Sequence, residues 1–234
     1  QTCALPICKS GVDGVDRDYF SWAKAGDLHD LYSSRFDYTQ DWRHAIIGEP
    51  LIKSQHPETE LFWDSVHYNA GSSCSSCHMP EVTDSNGRTF RSHWMTSPYK
   101  YSDKEAWGGF ADAVSLRGTD SNPCVRCHSD RTERGIEQQQ TFYARQAQVE
   151  TLLAESVGLL GEMNEAEKQG AKIPVERRDM ALDEHRRAHV LWENIAVSEN
   201  SMGFHNFAEA MASMDEAERH VRAAIKESKA ALGK

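Results

Sequence analysis

Two five-residue words constrain this chain more than anything else in it: Cys74-Ser-Ser-Cys77-His78 and Cys124-Val-Arg-Cys127-His128. Each is a C-x-x-C-H box, the pattern of covalent c-type haem attachment. Two thiols three positions apart can each form a thioether bond to one porphyrin, and the next residue offers its imidazole to the iron. Such a group does electron chemistry, while the protein chooses the axial ligands and decides whether a coordination position stays open. The boxes predict a redox protein with at least two haems, held through Cys74, Cys77, Cys124 and Cys127, with His78 and His128 as proximal iron ligands.

Paired C-x-x-C units also build structural zinc sites. Here, however, residues 78–123 separate the pairs, 46 positions against roughly 15–20 in the usual zinc pattern. His follows both pairs directly, which 11 His in 234 residues would produce by chance roughly 0.2% of the time. Two disulfides would leave both histidines unexplained. The remaining cysteines, Cys3 and Cys8, lie in residues 1–8, which resemble the translated read-through of a sequencing-library adapter. That segment is read as non-native, and the natural chain is expected to continue upstream.

No stretch approaches the roughly 18 consecutive apolar residues of a membrane span. A formal net charge of −10 argues against nucleic acid as a partner. The hydrophobic fraction of 39% is modest, and haems would supply apolar core in its place. Thioether attachment takes place outside the cytoplasm, so a periplasmic protein is expected, its signal peptide lying in the missing upstream part.

The chain divides into two parts. Residues 9–135 are rich in Gly, Ser, Asp, Trp and Tyr and lack long periodic runs, as expected of short helices and loops around haems. Within them, Asp84-Ser-Asn-Gly87 predicts a turn between two short strands, and Gly108–Pro123 reads as loop. Residues 136–234 predict long helices. Phe142, Val149, Leu152, Leu153, Leu160 and Met163 recur at helical spacing up to a stop at Gly170 and Pro174. Met180, Leu191, Trp192 and Ile195 mark a second helix, and residues 200–206 a break. A third helix shows Phe207, Met211, Met214, Val221 and Ile225, with Asn206 as cap and Glu209 three residues on. The fold class is therefore mainly α: a multihaem cytochrome c region followed by long antiparallel helices. Such stripes on charged helices suit a bundle or a dimer face.

Six-coordinate electron-transfer haems need a second axial ligand. His67, His93 and His205 lie near the boxes or in the helix break and are the candidates; His185, His189 and His220 fall in charged helical stretches and read as solvated.

The word Lys53-Ser-Gln55-His56-Pro57-Glu58 adds a further signal. With Asp41-Trp42, Pro50, Glu60, His67, Cys74-x-x-Cys77-His78-Met79-Pro80 and His93 it resembles the ammonia-forming cytochrome c nitrite reductases, a pentahaem family, in order and spacing. The likeness continues through the second box, Arg187-Ala188, Trp192 and Phe204-His205, and reads as the C-terminal half of such an enzyme. It implies that His56 is the active-site histidine. It also implies a calcium site using the Gln55 side chain and the Lys53 carbonyl, oxygen donors that suit that ion. His67 would be the distal ligand of the haem at Cys124 and Cys127, and His205 that of the haem at Cys74 and Cys77. His93 would serve a haem attached elsewhere. Five haems, a quinol-linked cytochrome donor, nitrite as substrate and a homodimer through the long helices are further implications.

Departures accompany the likeness. The family's C-x-x-C-K box, two further C-x-x-C-H boxes, and the catalytic Arg, Tyr and Glu are absent, so this chain alone is expected to be inactive. Residues 95–122 are longer than the family's usual connection. An octahaem nitrite reductase relative and a non-catalytic multihaem carrier are the alternatives.

Overall fold

The computed structural model describes residues 24–35, 40–54, 57–93, 95, 123–128, 132–199 and 201–234. The segment 1–8, Gln55, His56 and all of 95–122 except Met95 lie outside the described residues. The fold is mainly helical. Short elements come first: α1 (Leu28–Asp30), β1 (Trp42–Arg43), β2 (Pro50–Leu51), α2 (Glu58–Phe62), α3 (Val66–Asn69), α4 (Cys74–His78), β3 (Glu81–Thr83) and β4 (Thr89–Arg91). Three long helices follow: α5 (Thr132–Lys168), α6 (Val175–Trp192) and α7 (Phe207–Leu232).

Cross-helix pairs give the directions of the long helices. Along α5 and α6, Trp192 meets Glu150, His185 meets Ser156, and Arg178 meets Glu167, so the two run antiparallel. Along α6 and α7, Glu184 meets His220 and Arg177 meets Glu227, again antiparallel. Arg145 with Asp215 and Lys229 with Glu155 make α5 and α7 parallel. The stop after α5 has a local cause. Gly170 sits at φ +89°, the left-handed turn that glycine enters without a Cβ penalty, and the Ala171 N–H reaches back to the Ala166 carbonyl at 2.9 Å. At the start of α7, the Asn206 side chain accepts the Glu209 N–H, as its capping role predicts.

The apolar stripes close on each other. Phe142, Val149, Met214, Ala217 and Val221 are fully buried in one cluster with Ala188 and Ile195. These residues are consumed inside the chain, so a contact with a second copy would have to use outward faces. Met180 points outward and is 52% exposed. The short elements pack along the bundle: Leu61 joins the main cluster, Ile52 packs with Leu28 and Val190, and Ile47 with Leu160, Met163 and Ala181. This lays residues 52–54 against the C-terminal end of α6. The hairpin is present, with β3 and β4 antiparallel. Its turn is held by Asp84 Oδ1, which accepts the N–H groups of Asn86 and Arg88.

The solvated reading of three histidines is corrected. His185, His189 and His220 are 1%, 7% and 9% exposed. His185 and His189 fall one turn apart on the α6 face that meets α5, where Ser156 supplies a polar partner. His220 bonds Glu184 across α6 and α7 at 2.6 Å.

A tightly packed glycine lies two residues before His205. Gly203 has φ +74°, and a Cβ there would lie 3.1 Å from both Ala210 Cβ and Phe142 Cδ2. Gly203→Ala is expected to cost about 2–3 kcal/mol, from left-handed strain plus overpacking. Urea unfolding of the variant against wild type measures it.

Candidate functional site

The two boxes fold differently but present the same side chains. The first is α4 itself, a single turn in which Cys74 and Cys77 share a face; Ser73 and Ser76 form a capping box at its start. The second is a 3-10 turn, Pro123–Arg126, in which residues three apart eclipse; the His128 N–H bonds the Cys124 carbonyl at 2.8 Å. None of these four cysteines forms a disulfide. The boxes are neighbours: burial chiefly, and next the thiols around it, push Cys77 up, with Cys127 among them. Burial first and Cys77 second push Cys124 up to about 11. Such thiols are poor thiolates at neutral pH, unlike the lowered cysteines of dithiol redox enzymes.

Histidines separated in sequence meet across these boxes. The His78 and His205 rings lie 6.1 Å apart between centroids, and so do those of His67 and His128. A metal held between two imidazoles requires about this distance, since two metal–nitrogen bonds of about 2 Å plus the ring radii span roughly 6 Å. Beside Cys74 lies a cavity of about 430 Å³ whose wall includes Thr59, Phe62, Trp63, Tyr68 and Ser73. Aromatic walls, two thiols and a spaced imidazole pair fit a haem. Among the described residues no three His, Cys, Asp or Glu side chains converge to hold a metal ion.

Each distal candidate is held from behind. His205 Nδ1 pairs with Glu199, leaving Nε2 for another partner. Burial lowers the His205 pKa most, but the Glu199 hydrogen bond and charge outweigh it, and the net shift is upward. Glu199 is 1% exposed and also accepts from the Ser201 N–H and hydroxyl. A carboxylate behind a metal-ligating histidine is the usual way of fixing its tautomer and ring plane. His67 sits on α3, whose first turn is capped by Ser65, and its ring stacks on Phe204 at 6.4 Å. Its pKa is lowered, by burial first and then by His128 and His205.

His93 stands apart from these pairs. It is exposed beyond β4, its Nδ1 3.0 Å from the Arg91 carbonyl. Lys53 is exposed and follows β2, its N–H bound to Asp41 Oδ2 at 2.7 Å. Its carbonyl accepts no hydrogen bond from any described residue, which leaves a neutral oxygen of the kind calcium prefers.

Two carboxylates escaped the reading of the sequence: Glu199 and Glu193. The second accepts the Ser54 N–H at 2.6 Å. Neither lies at an apolar helical position, so periodicity gave no signal for them.

The cytochrome c552 family model matches residues 15–234. The chain belongs to the cytochrome c552 family. Within it, the chain is 30% identical over 227 residues to the cytochrome c nitrite reductase subunit NrfA of Nitratidesulfovibrio vulgaris, covering 92% of this chain and 38% of that one. A cytochrome c-552 of Haemophilus ducreyi is 38% identical over 82 residues, 34% of this chain and 16% of that one. The cytochrome c nitrite reductase of Desulfovibrio desulfuricans, whose catalytic subunit is described with two calcium sites, superposes with a TM-score of 0.72 at 26% identity, over 90% of this chain and 42% of its own. This cytochrome c552 chain thus spans about two fifths of those two nitrite reductase subunits. Among the described residues, no helix is long and apolar enough to cross a membrane.

Proposed function

We propose that this chain is part of a periplasmic multihaem enzyme that reduces nitrite to ammonium. Haem c would be attached at Cys74 and Cys77 with His78 and His205 as axial ligands, and at Cys124 and Cys127 with His128 and His67. The observation that supports this most is the twofold repetition of one spacing: both box histidines face a distant imidazole at 6.1 Å. Membership of the cytochrome c552 family and likeness to nitrite reductase subunits along most of the chain support the reaction.

When bound, haem supplies one-electron steps, and a haem with an open iron position supplies the place where nitrite binds. With two imidazoles each, the haems of this chain would be relay centres without room for substrate. The adjacency of the boxes suits electron transfer between them. His56 would hold and deliver a proton at the substrate, and His93 would serve a third haem of the five expected. The Lys53 carbonyl and Gln55 side chain would bind calcium. Electrons would come from a quinol-linked cytochrome. Residues 9–135 would form the haem-binding part and residues 136–234 the long-helix part, whose outer faces would meet a second copy in a homodimer. The sequence contains no C-x-x-C-K box, so this chain alone would not turn over nitrite.

The test uses the full-length protein made with a cytochrome maturation system. Mass spectrometry is expected to show one added haem per box, and a reduced dye as donor should yield ammonium from nitrite. Colourless protein overturns the haem assignment; coloured protein that forms no ammonium favours the carrier alternative.

A further inference from the structure

We propose that Glu193 is a positioning residue that sets the direction of the Lys53 carbonyl as a cation ligand; this rests on the calcium reading above and deepens it. The helical winding changes at Glu193. After α6 ends at Trp192, residues Glu193–Ser198 continue as a π-helix, with an i to i+5 bond from the Glu199 N–H to the Asn194 carbonyl at 3.0 Å. In an α-helix, positions five apart lie about 140° apart around the axis. The wider π turn repeats at i+5 and brings Glu193 and Ser198 to one side.

Both side chains then grip one neighbouring residue. Glu193 Oε2 accepts the Ser54 N–H at 2.6 Å, and the Ser198 hydroxyl lies 2.6 Å from the Ser54 carbonyl and 2.5 Å from Glu193 Oε1. The contact is deep: Glu193 is 5% exposed and Ser54 3%. The Ser54 N–H belongs to the same planar peptide as the Lys53 carbonyl. In a trans peptide the two point in opposite directions. Fixing the N–H on Glu193 therefore aims the Lys53 oxygen away from the π-helix. On the other side, Asp41 holds the Lys53 N–H at 2.7 Å. With both adjoining amides bound to carboxylates, the peptide cannot turn over, and the oxygen meets a cation already oriented. A calcium ligand lost or misdirected costs affinity directly.

The experiment uses the full-length, haem-loaded protein, stripped of calcium by a chelator and titrated with calcium alone by calorimetry. E193A is expected to weaken calcium binding by about tenfold or more, with haem content unchanged and faster hydrogen exchange at the Ser54 amide. E193Q is expected to stay close to wild type, because the amide keeps an oxygen for the Ser54 N–H and turns its NH2 to Ser198 Oγ. S198A, which removes the hydroxyl that contacts both the Ser54 carbonyl and Glu193 Oε1 but leaves the Glu193 bond to the Ser54 N–H, is expected to be intermediate, and it decides the matter if E193A does not fold. Unchanged calcium affinity in E193A, or in S198A where E193A does not fold, overturns the proposal. So does equal loss in E193Q and E193A, which would make charge and not peptide direction the cause. A wild-type protein that takes up no calcium overturns the ion reading itself, and the proposal falls with it.

Discussion

Replacing His56 by Ala in the full-length, haem-loaded protein should lower nitrite turnover by about 10²–10⁴-fold, the usual contribution of a positioned proton donor or acceptor. Conversion of nitrite to ammonium takes up six electrons and eight protons. In the proposed function electrons would arrive through relay centres, while protons would have to be presented at the substrate oxygens as charge develops there. Imidazole titrates near pH 6.5, so it can give and regain a proton in neutral solution with little driving force either way. His56 follows Ser54 by two residues, and both backbone groups of Ser54 are tied to the π-helix that follows α6. The chain is thus anchored two residues before His56, which the proposed role would require to be placed to within a fraction of an ångström. Ammonium formation with a reduced dye is the measurement, with haem content and absorbance spectrum as controls. Turnover equal to wild type would remove His56 from the mechanism and favour an electron carrier.

Much of this was legible because two local rules dominate the chain. The boxes are read from covalent chemistry alone, and the three long helices from a 3.6-residue repeat whose residues, Phe142, Val149 and Met214 among them, are buried as expected. Asp84-Ser-Asn-Gly87 and Asn206 likewise announced a hairpin and a cap. The pairing of His67 with His128 was of a different kind. No spacing rule joins residues so far apart, and only the family likeness suggested the partners. Glu193 and Glu199 were invisible for a physical reason. In a chain with 36 acidic residues an isolated carboxylate reads as solvated, and the π turn that buries Glu193 breaks the period by which buried positions are found. His185 and His189 were misread although a signal existed. Ala181, His185, Ala188 and Trp192 follow one helical face, but the surrounding Glu184, Arg186 and Arg187 suggested water.

That buried pair should make the protein acid-sensitive, with about 4 kcal/mol of stability lost between pH 8 and pH 5. Burial above all, then the neighbouring His189 and His44, holds His185 at about 3; burial and His44 hold His189 at about 4. Unfolded, both titrate near 6.5. Between those limits the unfolded chain binds protons that the folded one refuses, so stability falls as pH falls. Their contribution is complete above pH 6.5 and is fully lost once pH passes below the folded values. At about 1.4 kcal/mol per pH unit, each histidine accounts for roughly 2 kcal/mol by pH 5, a large part of the 5–15 kcal/mol typical of a domain. The surroundings offer a new cation no relief. His185 Nδ1 already meets Ser156 Oγ at 3.0 Å, while His185 Nε2 and His189 Nδ1 are buried without a hydrogen-bond partner among the described residues. Trp42, Trp192 and His44 stand beside His189, and the Glu193 carboxyl one turn on is itself pushed up by burial. His205, raised by Glu199, works in the opposite direction, so the decisive quantity is a difference between proteins. H185Q keeps a partner for Ser156 but binds no proton, and by urea unfolding it should lose about 2 kcal/mol less than wild type between pH 8 and pH 5. An identical shift in both would mean that His185 charges freely in the folded state, and that the face between α5 and α6 admits water.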